Sequence, residues 1–519
     1  MHINKKGLER LERDFDLESY RPISVIWHLR HAILARLRKG KDVLSDIDGR
    51  EETKSDLIRA MLSGSYPYLV SEEGTGKTRL ARSVARLLPP IPVIKGCPYH
   101  DDPKWERHLL CNRCREVKDP AKRFGIEFIP GEARFSRIQG NEYTNEAKLL
   151  GLKDIQVIAN GASPSDPRAF IGTGILRANR GILMIDELPA IRTKVQVLLH
   201  PVLEEKKAVL EEYNWERFVD LLLIATGNPR GFSHVNDIPR PLLDRLELIF
   251  MDLPDEEIEK EIMLKERSLL DIDGYFKEEY VSETSWDLDI DYHLIERKVV
   301  APWWIVEVLT RTVRYSRECP NLEKKPSIRG GNKAYEHTLS SVEMEGRNVA
   351  RLWDAFSGLR LALRGRIGLL PDFIDFDNPE RTIKRTEQVI EDMLRDVLSE
   401  VAIEIFREVQ FQKDRFVKEI ATVCRKGVED ILPADLDGST ELKKIISWMI
   451  RSWQSKLPHD YCSQREKDIF DQKEEIDESI KREYIRSAID FIAAGGVIRG
   501  LVNEESLSGS VFVPKRVAL

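Results

Sequence analysis

Apolar positions in this chain follow two different rhythms. Between about residues 65 and 255, short β-rich apolar runs alternate with stretches of helical period, the pattern of a parallel sheet with crossover helices. The clearest runs are Tyr68-Leu69-Val70, Gly181-Ile182-Leu183-Met184-Ile185 and residues 218–226. Ahead of them, residues 8–40 predict two charged amphipathic helices, the second over 23–37. The stretch Asp46-Ile47-Asp48-Gly49-Arg50 reads as a turn before a helix over 51–62. From 256 to 370 the period becomes helical, with 321–327 as a loop, and beyond Pro371 it is helical and strongly charged. There Val389, Ile390, Met393, Leu394, Val397, Leu398, Val401, Ala402, Ile405, Phe406 and Val409 fall on one stripe, which predicts packed core or a helix pair. The end of the chain reads as a helix over 484–494, a turn at Gly495-Gly496 and a hairpin around Val511-Phe512-Val513-Pro514. That is the outline of a winged-helix remnant whose few basic residues favour packing over nucleic-acid binding. Four segments result: 1–45 helical, 46–255 an α/β core with insertions at about 95–116 and 130–175, 256–370 helical, and 371–519 mainly helical.

Composition narrows this further. A chain of 519 residues exceeds one ordinary core, and roughly three domains is the prior. The formal charge of −7 lacks the basic excess of a general nucleic-acid binder. No apolar run approaches bilayer length, and Met1-His2-Ile3-Asn4-Lys5-Lys6-Gly7 leads into charged sequence, so the expected location is cytoplasmic and off the membrane. Three of the six cysteines cluster, which in a reducing compartment points to a metal. Cys319, Cys424 and Cys462 read as packed thiols, and Trp303 and Trp304 as core.

The chemistry gathers at strand ends. Ser71-Glu72-Glu73-Gly74-Thr75-Gly76-Lys77-Thr78 follows an apolar run and precedes the helical Arg79-Leu80-Ala81-Arg82. Glycines in such a loop turn backbone N–H groups toward an anion. Glu73 to Arg79 form the cradle, Lys77 reaches the β- and γ-phosphates of ATP, and Thr78 offers its hydroxyl to Mg²⁺. Ser71 stands where the pattern usually begins with glycine. The strand over 181–185 delivers Asp186 and Glu187, the first to hold Mg²⁺ and the second to polarise the attacking water. The strand over 218–226 ends in Gly227-Asn228-Pro229, where Asn228 is expected to orient that water or sense the terminal phosphate, or else to begin a turn, and one residue can do both. Arg245, in Arg240-Pro241-Leu242-Leu243-Asp244-Arg245, is badly placed for its own nucleotide and well placed for a neighbour's, as an arginine finger.

Cys97-Pro98-Tyr99-His100 and Cys111-Asn112-Arg113-Cys114 make C-x₂-H and C-x₂-C arms. Each arm points two ligands at one ion, so Cys97, His100, Cys111 and Cys114 are the expected ligands of a closed, structural Zn²⁺ knuckle. His108 is the rival for the histidine.

The ordered set of strand tips resembles the AAA+ ATPases. Arg177-Ala178-Asn179-Arg180-Gly181-Ile182-Leu183, Ile224-Ala225-Thr226-Gly227-Asn228-Pro229 and Arg240-Pro241-Leu242-Leu243-Asp244-Arg245 are similar to the magnesium-chelatase ATPase subunit and its MoxR-type relatives, over roughly residues 45–370. The resemblance implies an AAA+ P-loop parallel sheet with helices on both faces, a helical lid over 256–370 and a ring of six subunits. It also implies a partner protein with a von Willebrand type A domain. Arg329, in Ser327-Ile328-Arg329-Gly330-Gly331, then matches a lid arginine that senses nucleotide. Hairpins near 135–171 and 208–215 are implied to face the ring's pore. Two other readings stand beside the remodelling ATPase: a motor of the minichromosome-maintenance helicase type and a magnesium-chelatase motor subunit. A nucleotide-gated scaffold is a third, suggested only by Ser71. Lys148, Lys153, Lys206 and Lys207 suit the helicase, but Glu142, Glu146 and Glu204 interrupt them, so nucleic acid is left open.

Overall fold

Five strands lie side by side and parallel in the first half of the chain: β1 (Tyr66–Val70), β4 (Phe135–Gln139), β7 (Gly181–Asp186), β10 (Leu221–Gly227) and β11 (Leu246–Phe250), in the order β11-β1-β10-β7-β4. The computed structural model describes residues 5–71, 75–163, 166, 169–210, 215–228, 238–251, 258, 291–375, 378–425, 436, 438–507 and 511–516. They form two units, 1–296 and 297–519.

In the first unit β7 is buried up to its last residue and β10 throughout, as their unbroken apolar runs require of central parallel strands. Helices α1 (Lys5–Asp14), α2 (Val25–Arg38), α3 (Glu51–Leu62) and α4 (Lys77–Leu87) precede or follow β1. α2 packs against β10, α3 against β1 and β11, and α4 against β7. Six further short strands form three antiparallel pairs off the sheet. β2 (Ile91–Ile94) pairs with β3 (Ile126–Ile129), β5 (Gly151–Lys153) with β6 (Phe170–Gly172), and β8 (Lys207–Leu210) with β9 (Trp215–Phe218). The run expected as one strand over 218–226 is thus split at Val219 and Asp220, because β9 pairs with β8 whereas β10 joins the main sheet beside β7.

The second unit is helical and has one core, which runs from Val300 to Val513. The stripe foreseen from Val389 to Val409 lines the buried face of the helix Pro379–Glu408 and its C-terminal end. Trp303 and Trp304 are core, their indole N–H groups donating to the Met449 carbonyl at 2.7 Å and the Ser487 hydroxyl at 3.1 Å. The segment 321–327 is not wholly a loop, since Leu322–Lys324 pairs with Gly368–Leu369. The expected turn at Gly495-Gly496 is also corrected: one helix, Glu478–Ile498, runs through both glycines. A Cβ on Gly495 would lie 2.6 Å from that of Ala402, so glycine here permits close helix packing and marks no turn. No strand forms over the described residues 511–516. Phe512 instead stacks on Phe356 at 5.1 Å, so the hairpin expected around 511–514 does not form among the described residues. The boundary drawn at 370/371 does not separate two cores.

Candidate functional site

Parallel strands put all their C-terminal ends at one edge of the sheet, so loops that leave β1, β7 and β10 meet there. β1 ends at Val70, level with Gly227 of β10, and the Ser71 N–H donates to the Gly227 carbonyl at 3.3 Å. Gly76, with φ of +87°, turns the chain into α4, which Lys77 opens. The Lys77 ammonium donates to the Ser71 carbonyl at 2.7 Å and to its hydroxyl at 3.2 Å, and Ser71 Oγ lies 2.5 Å from Thr75 Oγ1. The serine that replaces the usual glycine therefore holds the lysine side chain through its own hydroxyl. Thr78 and Arg79 lie half-buried in the first turn of α4. The unshared N–H groups of that turn make it an anion site. Glu73 and Gly74 lie outside the described residues.

The acids come from the next two strands. Asp186 closes β7, and Thr226 of β10 donates its hydroxyl to Asp186 Oδ1 at 2.6 Å while accepting the Glu187 N–H at 3.0 Å. Glu187 has left-handed backbone, φ +56°, which swings it off the strand axis. The Asn228 N–H then donates to Glu187 Oε1 at 3.4 Å. Burial first, and the Glu187 charge second, push the Tyr68 phenol well above its usual range. Asp186 also carries an ion pair with Arg137 of β4. Gly140 fits tightly beneath: its N–H donates to the Asp186 carbonyl at 2.6 Å, and a Cβ there would lie 2.2 Å from the Glu187 carbonyl oxygen.

Lys77, Asp186, Glu187 and Asn228 are thus joined at one edge through Ser71, Gly227 and Thr226. Arg245 is at the other edge. It precedes Leu246, which is level with Tyr66 at the start of β1, and β1 separates the two edges by about 15 Å at ~3.3 Å per residue. Its guanidinium pairs with Glu204 and donates to the Pro241 carbonyl. Arg329 is an exposed residue in the first turn of Ile328–Met344, its N–H capped by Ser327 Oγ at 3.1 Å, and it belongs to the second unit. Sequence reasoning passed over Thr226, Arg137 and Arg50. Arg50 caps α3 and donates to the Thr75 carbonyl in the phosphate loop. A hydroxyl at the tip of an otherwise apolar strand, in Ala225-Thr226-Gly227, was the available signal for Thr226.

The cysteine arms meet as expected, but their fourth member differs. Cys97, Cys111, Cys114 and Asp101 are all buried, with their ligand atoms within 4.8 Å of one another. Cys97 Sγ and Cys111 Sγ are 3.8 Å apart, the spacing that a tetrahedral ion imposes on two sulfurs at ~2.3 Å each. His100 is corrected out of the set. Its φ of +56° turns the ring toward the Asn179 carbonyl, 3.0 Å from Nδ1, and burial pulls its pKa down to about 4. His108 is exposed and pairs with Glu106 at 3.2 Å. Asp101 takes the vacated place, where burial pushes its carboxyl up to about 6 against the pull of Arg217. Asn179 and Arg180 explain their own motif. The Asn179 side chain donates to the Tyr99 carbonyl at 2.8 Å, and Arg180 pairs with Asp102 at 2.6 Å, so both fasten the knuckle to β7.

A phosphate loop, an acid pair on a neighbouring strand and a polar tip on the strand between them define a P-loop nucleotide hydrolase of the AAA+ class. Residues 127–246 match the family model described as "AAA domain (dynein-related subfamily)". The magnesium-chelatase 67 kDa subunit of Heliobacterium mobile is 37% identical over 152 residues, 28% of this chain and 22% of that one. The magnesium-chelatase 38 kDa subunit of Acidiphilium rubrum is 31% identical over 208 residues, 38% of this chain and 55% of that protein. Magnesium-chelatase subunit ChlI of Euglena gracilis is 25% identical over 336 residues, 62% and 89% of the two chains. The chain thus spans about a fifth and about half of the first two relatives. These matches support an AAA+ ATPase of the magnesium-chelatase ATPase-subunit and MoxR-like group. Among the described residues, no helix is long and apolar enough to cross a membrane.

Proposed function

We propose that this chain is an Mg-ATP-hydrolysing subunit of a homo-oligomeric ring, six-membered on the resemblance, that remodels or activates a partner protein. The carrying observation is the division of charges between the two edges of the sheet. Lys77, Asp186, Glu187 and Asn228 share one edge, whereas Arg245 sits at the other. In this reading Lys77 and the first turn of α4 bind the phosphates, and Thr78 and Asp186 hold Mg²⁺, which Arg137 must yield. Glu187 takes the proton of the attacking water, which Asn228 orients. Thr226 keeps the two acids apart in angle and charge. Arg245 of one subunit neutralises the transferring phosphoryl group bound to the next, and Arg329 reports nucleotide state to the lid.

A mixing experiment tests the shared site. Lys77→Ala cannot bind nucleotide but still donates Arg245, and Arg245→Ala binds nucleotide but donates nothing. Each alone is expected to release phosphate at least 100-fold more slowly than wild type, and the mixture to recover activity. No recovery, with ring assembly intact, would place Arg245 outside a shared site.

The partner, on the same resemblance, carries a von Willebrand type A domain, and the β5–β6 and β8–β9 hairpins face the pore. Exposed apolar side chains around the first hairpin (Tyr143, Leu152, Ile155 and Ile171) suit a polypeptide better than nucleic acid. Zinc is the ion proposed for the knuckle, since buried thiolates at tetrahedral spacing select it. With three sulfurs and the Asp101 carboxylate there is no open position, so the ion is structural.

A further inference from the structure

The knuckle touches more than its own two arms. Arg217 of β9 is buried and ion-paired to Asp101, the carboxylate that completes the ligand cluster. Its guanidinium lies 4.7 Å from the centre of the Tyr99 ring. Trp105 of the knuckle meets Phe218 of β9 edge-on at 5.5 Å. On the other side, the Tyr99 hydroxyl accepts the Gly172 N–H of β6 at 2.8 Å. The main-chain N–H of Asp220, two residues beyond β9, donates to Asn179 Oδ1 at 3.0 Å, and Asn179 in turn holds Tyr99. Both hairpins are therefore fastened to one small loop cluster.

We propose that the metal-loaded knuckle is the tie that orders the β8–β9 hairpin, with Asp101 bridging the ion and Arg217. The inference rests on the zinc reading above and goes beyond it, because a structural ion need only brace its own loops. The physical case has three parts. A pair of four-residue strands is not stable alone and needs outside contacts. Arg217 is charged and buried, so it needs a carboxylate held in a fixed place. Asp101 is held by the Cys111 N–H at 2.7 Å and, in this proposal, by the ion. When the ion leaves, the two arms are free to separate, Asp101 loses its fixed direction, and Arg217 loses the partner that keeps β9 in place. The hairpin leads directly into β10, whose tip bears Thr226 and Asn228.

The test uses the full chain. Bound metal is measured by elemental mass spectrometry, and amide hydrogen exchange is followed in 207–218 before and after zinc is stripped by a chelator, and again after Zn²⁺ is added back. The expected result is about one zinc per chain, with exchange in 207–218 accelerated at least 10-fold on stripping and restored by Zn²⁺, while β7 and β10 keep their protection. Arg217→Met is expected to keep its zinc and show the same acceleration, which separates the tie from the ion itself. Failure to retain or rebind zinc would overturn the metal reading. Zinc bound normally but hairpin exchange unchanged on stripping would overturn the tie and leave the metal standing. Acceleration that extends equally through β7 and β10 would show that the ion holds the whole fold, and would also overturn it.

Discussion

Thr226→Val is the sharpest probe of the catalytic edge. The substitution keeps the shape of a fully buried side chain and removes only its hydroxyl. Two bonds go with it: donation to Asp186 Oδ1 at 2.6 Å and acceptance from the Glu187 N–H at 3.0 Å. A hydrogen bond to a charged group is worth ~1.5–3 kcal/mol, and an amide left without a partner costs ~1–3 kcal/mol. Asp186 keeps Arg137 and is 15% exposed, so water recovers part of the loss. About 2 kcal/mol remains. Because the hydroxyl sets the direction of both acids, most of that loss falls on the hydrolytic step, equivalent to roughly a 30-fold drop in kcat. Steady-state phosphate release should show that drop with KM for ATP changed less than threefold. Thr226→Ser, which keeps the hydroxyl, should stay within threefold of wild type. Equal activity of the valine and serine variants would refute the argument, since serine keeps the hydroxyl that valine lacks.

Two further outcomes follow from the same contacts. Gly140→Ala places a Cβ 2.2 Å from the Glu187 carbonyl and 2.7 Å from that of Asp186, both backbone atoms that cannot turn aside. It should cost about 1–3 kcal/mol in urea unfolding and reduce turnover even though position 140 bears no functional side chain; unchanged unfolding would mean that the two strand tips are looser than the geometry implies. Asp490→Asn addresses pH. Burial pushes the Asp490 carboxyl up to about 7, with Arg351 and the Leu352 N–H pulling it back and Asp354 adding to the rise. The folded state then holds a proton that the unfolded chain releases from its ordinary value upward, so wild-type stability falls as pH rises toward 7. Asparagine has no such loss. Its stability relative to wild type should grow by roughly 2–3 kcal/mol from pH 5 to pH 8, and parallel melting curves across that range would contradict it.

Much of the first unit was readable because its signals are local. The apolar runs of β1, β7 and β10 are short, unbroken and followed by chemically distinct residues, so both the sheet and Lys77, Asp186, Glu187 and Asn228 could be placed from spacing. Other features depended on long-range contacts that spacing does not encode. Histidine two residues after a C-P pair reads as a ligand, yet a left-handed backbone at His100 turns it away and presents Asp101, and no periodicity announces that rotation. Thr226 looked like one more strand residue until the tips of β7 and β10 were side by side. Gly495-Gly496 looked like punctuation because its partner, Ala402, lies far away in sequence.

The single core of the second unit has a mechanical corollary. Residues 300–369 and 389–513 bury their apolar faces in each other, so the segment bearing Arg329 cannot shift without the helices of the C-terminal half shifting with it. Cutting the chain after Leu370 would strip the helices Trp303–Tyr315, Ile328–Met344 and Leu352–Arg364 of their apolar lining and leave a sticky, misfolding stump.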